Sequence, residues 1–488
     1  MNTPIYDYVK KYKNSDMSRL HMPGHKGHNV LGMEAFDITE VSGADSLYHA
    51  DGIIMESEKN ATYLFGSRAT LYSTEGSTHC IKSMVALAAY GCTKGKKPLI
   101  FALRNVHKAF VNACALVDIS VKWIFPDEDN DSICSCNVSI DKIEKIIKET
   151  IEVCTNDGQI QPVALYMTSP DYLGNIYDVK AVARICDKYN IMLLVDNAHG
   201  AYLKFLKEPM HPIELGAHMC SDSAHKTLPV LTGGAYLQIS KKAPAYVSER
   251  AKDVMALFGS TSPSYLIMES MDLCNKYMEE KFSKDLEKTV ENTLKVKGHI
   301  KRCGFVIKGD EPIKITVHTS LSGFSGFLIA DELRNNNVEC EYCDKDFVVL
   351  MTSPFNEEKD YERICNTFSR LKEKVQQLFK KNKPYNMCGN YNIENNTKSN
   401  IVKNDIADKI FEKNSMVKCP KIATTIREAV FAPQEKIPVS AAKGRVCGMS
   451  VVSCPPAIPI IVSGEIVNDE MIKWLEYNEI EQINVLTL

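Results

Sequence analysis

The run Ile191-Met-Leu-Leu-Val-Asp196 is apolar without a break until it closes on a carboxylate. A strand buried on one face alternates apolar and polar residues, so an unbroken apolar run reads as a strand buried on both faces, as in a parallel sheet covered by helices. Ligands of open α/β sheets collect at the carboxyl ends of the strands, which makes Asp196 a candidate site residue. The stretch Ser221 to Gly234 supplies a partner for it. Lys226 stands there among small hydroxyl residues and a histidine, between strand-like apolar runs, a setting foreign to a solvated surface lysine. A buried lysine able to form a Schiff base, with an aspartate able to hold a protonated pyridine nitrogen, is the minimum a protein contributes to pyridoxal 5'-phosphate chemistry.

Further motifs stand in order along the chain: His21-Met-Pro-Gly-His-Lys-Gly27, Ser73-Thr-Glu-Gly-Ser-Thr78, Arg104-Asn-Val-His-Lys108, Asp196-Asn-Ala-His-Gly200, Ser223-Ala-His-Lys-Thr-Leu-Pro229 and Thr261-Ser-Pro-Ser-Tyr265. Together they resemble the Orn/Lys/Arg decarboxylase family, the bacterial-type basic amino acid decarboxylases with the aspartate aminotransferase fold. The similarity runs in register to about residue 380, and Arg427 to Glu465 resembles that family's C-terminal domain, with Ala457 where relatives usually carry glycine. The resemblance implies an α/β fold: a large domain with a mostly parallel sheet that binds pyridoxal phosphate, a small α/β domain and an additional C-terminal domain. The expected division is an N-terminal arm at 1–60, the large domain at 61–264, a linking helix and small domain at 265–380, a Lys/Asn-rich linker at 381–410 and the C-terminal domain at 411–488. A chain of 488 residues is long enough for more than one core.

The residues themselves support parts of this division. Between about 61 and 245, apolar runs alternate with helical segments, as in an α/β domain. Asp127 to Gly158 is polar and reads as a surface excursion with one amphipathic helix. The region beyond Tyr265 reads as a long helical stretch to about Arg302, then strands near Pro312 to Thr319, Val338 and Phe347, and helices through Arg334 and from Glu357 to Phe379.

A glycine and hydroxyls opening a helix at Gly76-Ser77-Thr78 offer free N–H groups to a phosphate, although serine and threonine are also ordinary helix caps. The resemblance implies the first use, with Ser223 and His225 also reaching the phosphate. Glu75 stands where many relatives carry asparagine, and its charge is expected to point away. By the same resemblance His107 stacks on the pyridine face, while His199 orients Asp196 or touches the ring. Lys226, Asp196, His107 and His199 are the expected catalytic set. Thr261 and Ser262 are expected to complete the phosphate site of a partner subunit, which implies a homodimer or higher oligomer with shared sites. His25 and Lys26 belong to the family's active-site region, and Tyr172 lies in the pocket-lining turn Ser169 to Gly174. A cationic substrate calls for a carboxylate; Asp45, Asp51 and Glu465 are candidates.

The implied reaction is decarboxylation of arginine, lysine or ornithine to an amine of the kind used in polyamine synthesis. An aminotransferase is the alternative within the fold, and it needs an arginine on the small domain, where Arg334 is the candidate; a catalytically silent regulator is the alternative outside it. A net charge of −3 without a basic block makes nucleic acid and anionic membrane poor partners. With no signal-peptide core and no bilayer-length apolar run, a cytoplasmic protein is expected. The 17 cysteines lack a disulfide-framework spacing and are expected to be reduced. Cys340-Glu-Tyr-Cys343 has no second pair to complete a zinc site, so no metal is expected.

Overall fold

The computed structural model describes residues 1–127, 132–381, 420–453 and 456–487. Apart from Lys381, the linker expected at 381–410 lies outside them, as do Cys454 and Pro455 of the double-proline motif. The central sheet has seven strands: β1 (Ala69–Ser73), β2 (Lys97–Leu103), β3 (Ser120–Ile124), β4 (Ile160–Thr168), β5 (Met192–Asp196), β6 (Met219–Asp222) and β7 (Ala235–Ile239), in the order β1-β7-β6-β5-β4-β2-β3. Strands β3, β2, β4, β5 and β6 are parallel, while β7 runs antiparallel to both β6 and β1. Every residue of β5 is buried, as its unbroken apolar run requires. One face packs Met84, Phe110, Tyr166 and Leu194, and the other Phe101, Leu165, Val182 and Leu193.

The crossover helix Val179–Lys188 explains how the second face is covered: Asp178 caps its N-terminus by accepting the Ala181 N–H, and Val179, Val182, Ile185 and Cys186 fall on the buried side. Asp196 is then delivered to the carboxyl end of β5, aligned with Thr168 of β4 and Ser221 of β6.

Beyond the large sheet, the helices Tyr265–Tyr277 and Ser283–Arg302 are joined by a π-helical turn at Met278–Phe282. They lead to a four-stranded antiparallel sheet, β8 (Val306–Lys308), β9 (Lys314–His318), β10 (Tyr342–Cys343) and β11 (Phe347–Met351), in the order β10-β11-β9-β8. Helices Gly326–Arg334 and Glu358–Lys381 accompany it. The strand expected near Val338 instead begins at Tyr342, after a connection, and β8 was not anticipated because its apolar run is only three residues long. The excursion after Asp127 is less superficial than its polarity suggests: Cys134 and Cys136 are buried, and the Cys136 N–H donates to the Tyr177 hydroxyl. The C-terminal region carries β12 (Gln434–Pro438), β13 (Val451–Ser453), β14 (Ile458–Ile461) and β15 (Gln482–Leu486), paired β12 with β15 and β13 with β14. No helix among the described residues is long and apolar enough to cross a membrane.

The N-terminal helix Pro4–Lys13 is held against helix Tyr265–Tyr277 by Asp272, which accepts the Ile5 and Tyr6 N–H groups at 2.9 and 3.0 Å and the Ser57 hydroxyl at 2.6 Å. One turn earlier, Glu269 is buried with Oε1 unpartnered. Burial, with Asp272 and Asp37 nearby, pushes its carboxyl from the usual 4.5 up to about 8. The folded state therefore holds a proton that the unfolded chain releases; this stability is complete below 4.5 and is lost as pH rises towards 8. Glu269→Gln should leave the melting temperature unchanged near pH 4 and raise it increasingly up to pH 8, as followed by thermal unfolding across that range.

Candidate active site

Asp196 is buried at the end of β5, where Oδ2 accepts the Tyr166 hydroxyl at 3.1 Å and Oδ1 the Ala198 N–H at 3.2 Å. Burial pushes its carboxyl up, and the field of Lys226 together with these hydrogen bonds draws it back. Lys226 lies on the short helix Ala224–Thr227, which follows β6 directly. Against the expectation of a buried lysine, its side chain is exposed because the helix that carries it is only one turn long; desolvation by the surrounding protein still lowers its proton affinity from the ordinary lysine range. Lys226 Nζ stands 3.1 Å from His199 Nε2. His199 is buried, and desolvation followed by the nearby Lys226 and Lys314 keeps its ring well below the usual histidine range. The hydrogen bond of His199 goes to the lysine and not to Asp196, and its buried Nδ1 has no protein partner.

The loop after β1 opens the helix Gly76–Tyr90. Gly76 has φ +72, and nothing lies within 4 Å of where a Cβ would project, so its neighbourhood is an open cradle. The Gly76 N–H donates to Gly233 O at 2.7 Å, and the Ser223 hydroxyl donates to Ser77 Oγ at 2.9 Å, which joins the lysine loop to this helix N-terminus. Thr78 is exposed on the first turn. Glu75 accepts the Ser260 N–H at 2.6 Å, so its charge is turned towards the loop that carries the exposed Thr261 and Ser262. His225 pairs through Nδ1 with Gly234 O at 3.0 Å, next to the Gly233 that meets Gly76. His107 caps the helix Lys108–Val117: its Nδ1 accepts the Ala109 N–H at 3.1 Å, which leaves any ring proton on Nε2. Burial, then Lys226 and Lys108, push His107 down to about 4, so the ring is neutral.

These features fit a phosphate at the loop after β1 and a flat ring set between a buried acid and an accessible amine. The Orn/Lys/Arg decarboxylase major-domain family model matches residues 3–321, and the model of that family's C-terminal domain matches residues 404–484. The chain belongs to the Orn/Lys/Arg decarboxylase family. It is a decarboxylase enzyme, and its relatives span nearly its whole length. The arginine decarboxylase of Bacillus subtilis (strain 168) is 24% identical over 98% of this chain and 93% of that protein, and the arginine decarboxylase of Bacillus anthracis is 26% identical over the same shares. The crystal structure of the Francisella novicida lysine decarboxylase superposes with a TM-score of 0.79 at 15% identity, covering 99% of this chain and 81% of that one, which shows the shared fold.

Several expected site residues have local partners of their own. Asp45 is buried, but its carboxylate accepts N–H groups of Ser46, Asp51, Gly52 and Ile54 at the start of helix Ile53–Phe65; it is a cap, not a free anion. Asp51 is exposed in the same turn. His25 pairs with Asp37 at 3.2 Å and Lys26 donates to His21 O, both within the N-terminal arm. Tyr172 does reach the centre: its ring meets His199 edge-on at 5.2 Å, and its hydroxyl donates to Glu341 Oε1 at 3.1 Å.

Glu341 escaped sequence reasoning because nothing but its place between two cysteines marks it. Its carboxylate lies close enough to Lys226 to raise the affinity of that amine for protons. Lys314 was missed as well; it is buried against Glu311 at 2.6 Å and adds positive potential at His199. Among the described residues, His211, Cys220 and Asp222 offer metal-type ligand atoms within 4.8 Å of one another. Asp222 is already engaged, accepting Asn197 Nδ2 at 2.6 Å and Gln238 Nε2 at 2.9 Å with His211 Nε2 at 3.1 Å, a network that braces the turns beneath Asp196 and Lys226.

Glu465 is buried 3.1 Å from Arg104, so its charge is already paired. Arg104 also donates to Ile460 O at 3.2 Å and stacks over Trp123 at 5.2 Å, while the Lys108 N–H donates to Ala457 O at 2.8 Å. The C-terminal region therefore grips the segment that carries His107. Removing one member of a buried pair strands the other charge, so Glu465→Ala should cost about 3–5 kcal/mol. Joint replacement by Arg104→Met and Glu465→Leu should recover most of it, as measured by denaturant unfolding followed through Trp123 fluorescence.

Proposed function

We propose that the protein is a pyridoxal phosphate-dependent decarboxylase of a basic amino acid, with arginine or lysine favoured as substrate. The observation that carries this reading is the buried Asp196 opposite a desolvated Lys226 whose amine meets His199 at 3.1 Å. In it, Lys226 would hold the cofactor aldehyde, Asp196 the ring nitrogen, Ser77, Thr78, Ser223 and His225 the phosphate, with Gly76, its N–H given to Gly233 O, shaping the loop, and His107 a ring face. Bound there, pyridoxal phosphate supplies a sink for the electron pair left when the bond between Cα and the carboxylate breaks.

The chain's own groups do the rest. Desolvation lowers the proton affinity of Lys226, which eases release of the proton its amine must lose to act as a nucleophile. His199, kept neutral by burial and neighbouring cations, accepts a hydrogen bond from that amine through Nε2 and so orients it. Asp196 stays anionic most readily beside a cation, so a protonated ring nitrogen relieves the penalty of its burial. Glu341, tethered to Tyr172 and exposed, is the acid available to a substrate's side-chain cation. In a homodimer, the exposed Thr261 and Ser262 are the hydroxyls available to a partner's phosphate site. The aminotransferase alternative lacks its clamp at the expected place, because Arg334 is tied to Asp331 at 2.7 Å and Glu339 at 3.1 Å on the surface.

Purified protein supplied with pyridoxal phosphate should release carbon dioxide and the matching amine from arginine or lysine; formation of an oxoacid instead would reject the reading. Lys226→Ala should abolish turnover and the covalent pyridoxyl label left by borohydride. Glu341→Gln removes a charge-assisted contact worth about 1.5–3 kcal/mol, so KM for the basic amino acid should rise about 10- to 100-fold with a smaller change in kcat, as read from initial rates.

A further inference from the structure

Cys340 and Cys343 form a Cys-x-x-Cys whose spacing the proposed reaction does not use. Both are free and half-buried, each thiol lies in the other's electrostatic field, and the backbone bends at Glu341 between them before β10 begins. The residues between them are those facing the site: Glu341 accepts the Tyr172 hydroxyl at 3.1 Å, and Tyr342 meets the Tyr172 ring edge-on at 5.3 Å. Most other cysteines of the large domain are buried, including Cys80, Cys114, Cys136 and Cys220. We propose that Cys340 and Cys343 are a reversible dithiol–disulfide pair whose oxidation displaces Glu341 and weakens substrate binding. The functional consequence rests on the role given to Glu341 above.

The geometry makes oxidation mechanically effective. Closing the bond brings two sulfurs from van der Waals separation to about 2.05 Å, which pulls Cys340 and Cys343 together across Glu341 and draws Cys343 from its register with Val348. Little opposes this, since β10 is a two-residue edge strand paired to β11 alone. Burial and the neighbouring thiol push Cys340 up to about 11, so its thiol stays protonated at neutral pH and oxidises faster as pH rises.

With glutathione disulfide as oxidant, one cysteine sulfur attacks a glutathione sulfur and releases the first glutathione thiol. The other cysteine then displaces the second glutathione. Two protein thiols thus lose two hydrogens and two electrons, and one glutathione disulfide becomes two glutathione thiols.

The test equilibrates holoprotein in glutathione buffers from fully reduced to fully oxidised, blocks remaining thiols, and measures the peptide containing residues 340 to 343 by mass spectrometry alongside decarboxylation kinetics. The expected result is an intrapeptide disulfide in oxidising buffer, a rise in KM of about tenfold or more, and full reversal by dithiothreitol. Cys340→Ser and Cys343→Ser variants should match the reduced wild type and ignore the buffer. Absence of the Cys340–Cys343 bond at every ratio, or an equal loss of activity in the serine variants, overturns the proposal. The mass readout needs no turnover, so a protein that forms the bond but never decarboxylates refutes the assigned reaction and leaves the thiol pair standing.

Discussion

A carboxylate held out of water at the end of a central strand is the constraint on which this molecule turns. Asp196 carries a charge that burial disfavours, and the fold answers with the Tyr166 hydroxyl, the Ala198 N–H and the field of Lys226. The opposing amine is desolvated in the same place, so each group lessens the other's cost. Below them, Asp222 joins Asn197, His211 and Gln238 in a fully buried network. That network ties the turn after β5 to the turn after β6, so the acid and the amine cannot drift apart independently. Reactivity at Lys226 is thus a property of the sheet and its supports, not of the lysine alone.

The same physics governs the junctions between regions. Glu311 and Lys314 are both buried where the small sheet meets the turn Ser169 to Gly174, with Lys314 Nζ also donating to Asp171 O at 3.3 Å. Arg104 and Glu465 do the equivalent work between the large domain and the C-terminal region. Buried ion pairs add little net stability over apolar packing of the same shape. What they impose is a penalty for docking in any arrangement that leaves one charge unpaired. Regions that surround a reaction centre need that precision, because a shift of about 1 Å is expensive in rate.

Much of the site was legible because its residues sit on the simplest local patterns. Asp196 closes an unbroken apolar run, Lys226 follows the next strand, and Gly76 to Thr78 open a helix; the structure finds each where strand and helix periodicity put it. The acids fared differently. Asp45 and Glu465 have the charge a cationic substrate requires, yet one is consumed by backbone N–H groups and the other by Arg104. A carboxylate's type is visible in a sequence, but its partner is not. Glu341 shows the converse: an acid without any sequence mark reaches Tyr172 because a short edge strand and the bend before it aim it inward.

By itself the sequence determined the layered α/β architecture, the positions of the acid and the amine on it, and the family, because apolar periodicity and glycine or hydroxyl turns are local and survive without knowledge of distant neighbours. Only the tertiary structure decided which charges remain free. His199 is turned to the lysine instead of to Asp196, Glu75 is turned towards Ser260, and Arg104 is claimed by a residue more than 350 positions away in the chain. Those choices depend on Coulombic and hydrogen-bond partners brought together by folding, and the strength of such contacts is set by burial, which no linear pattern records.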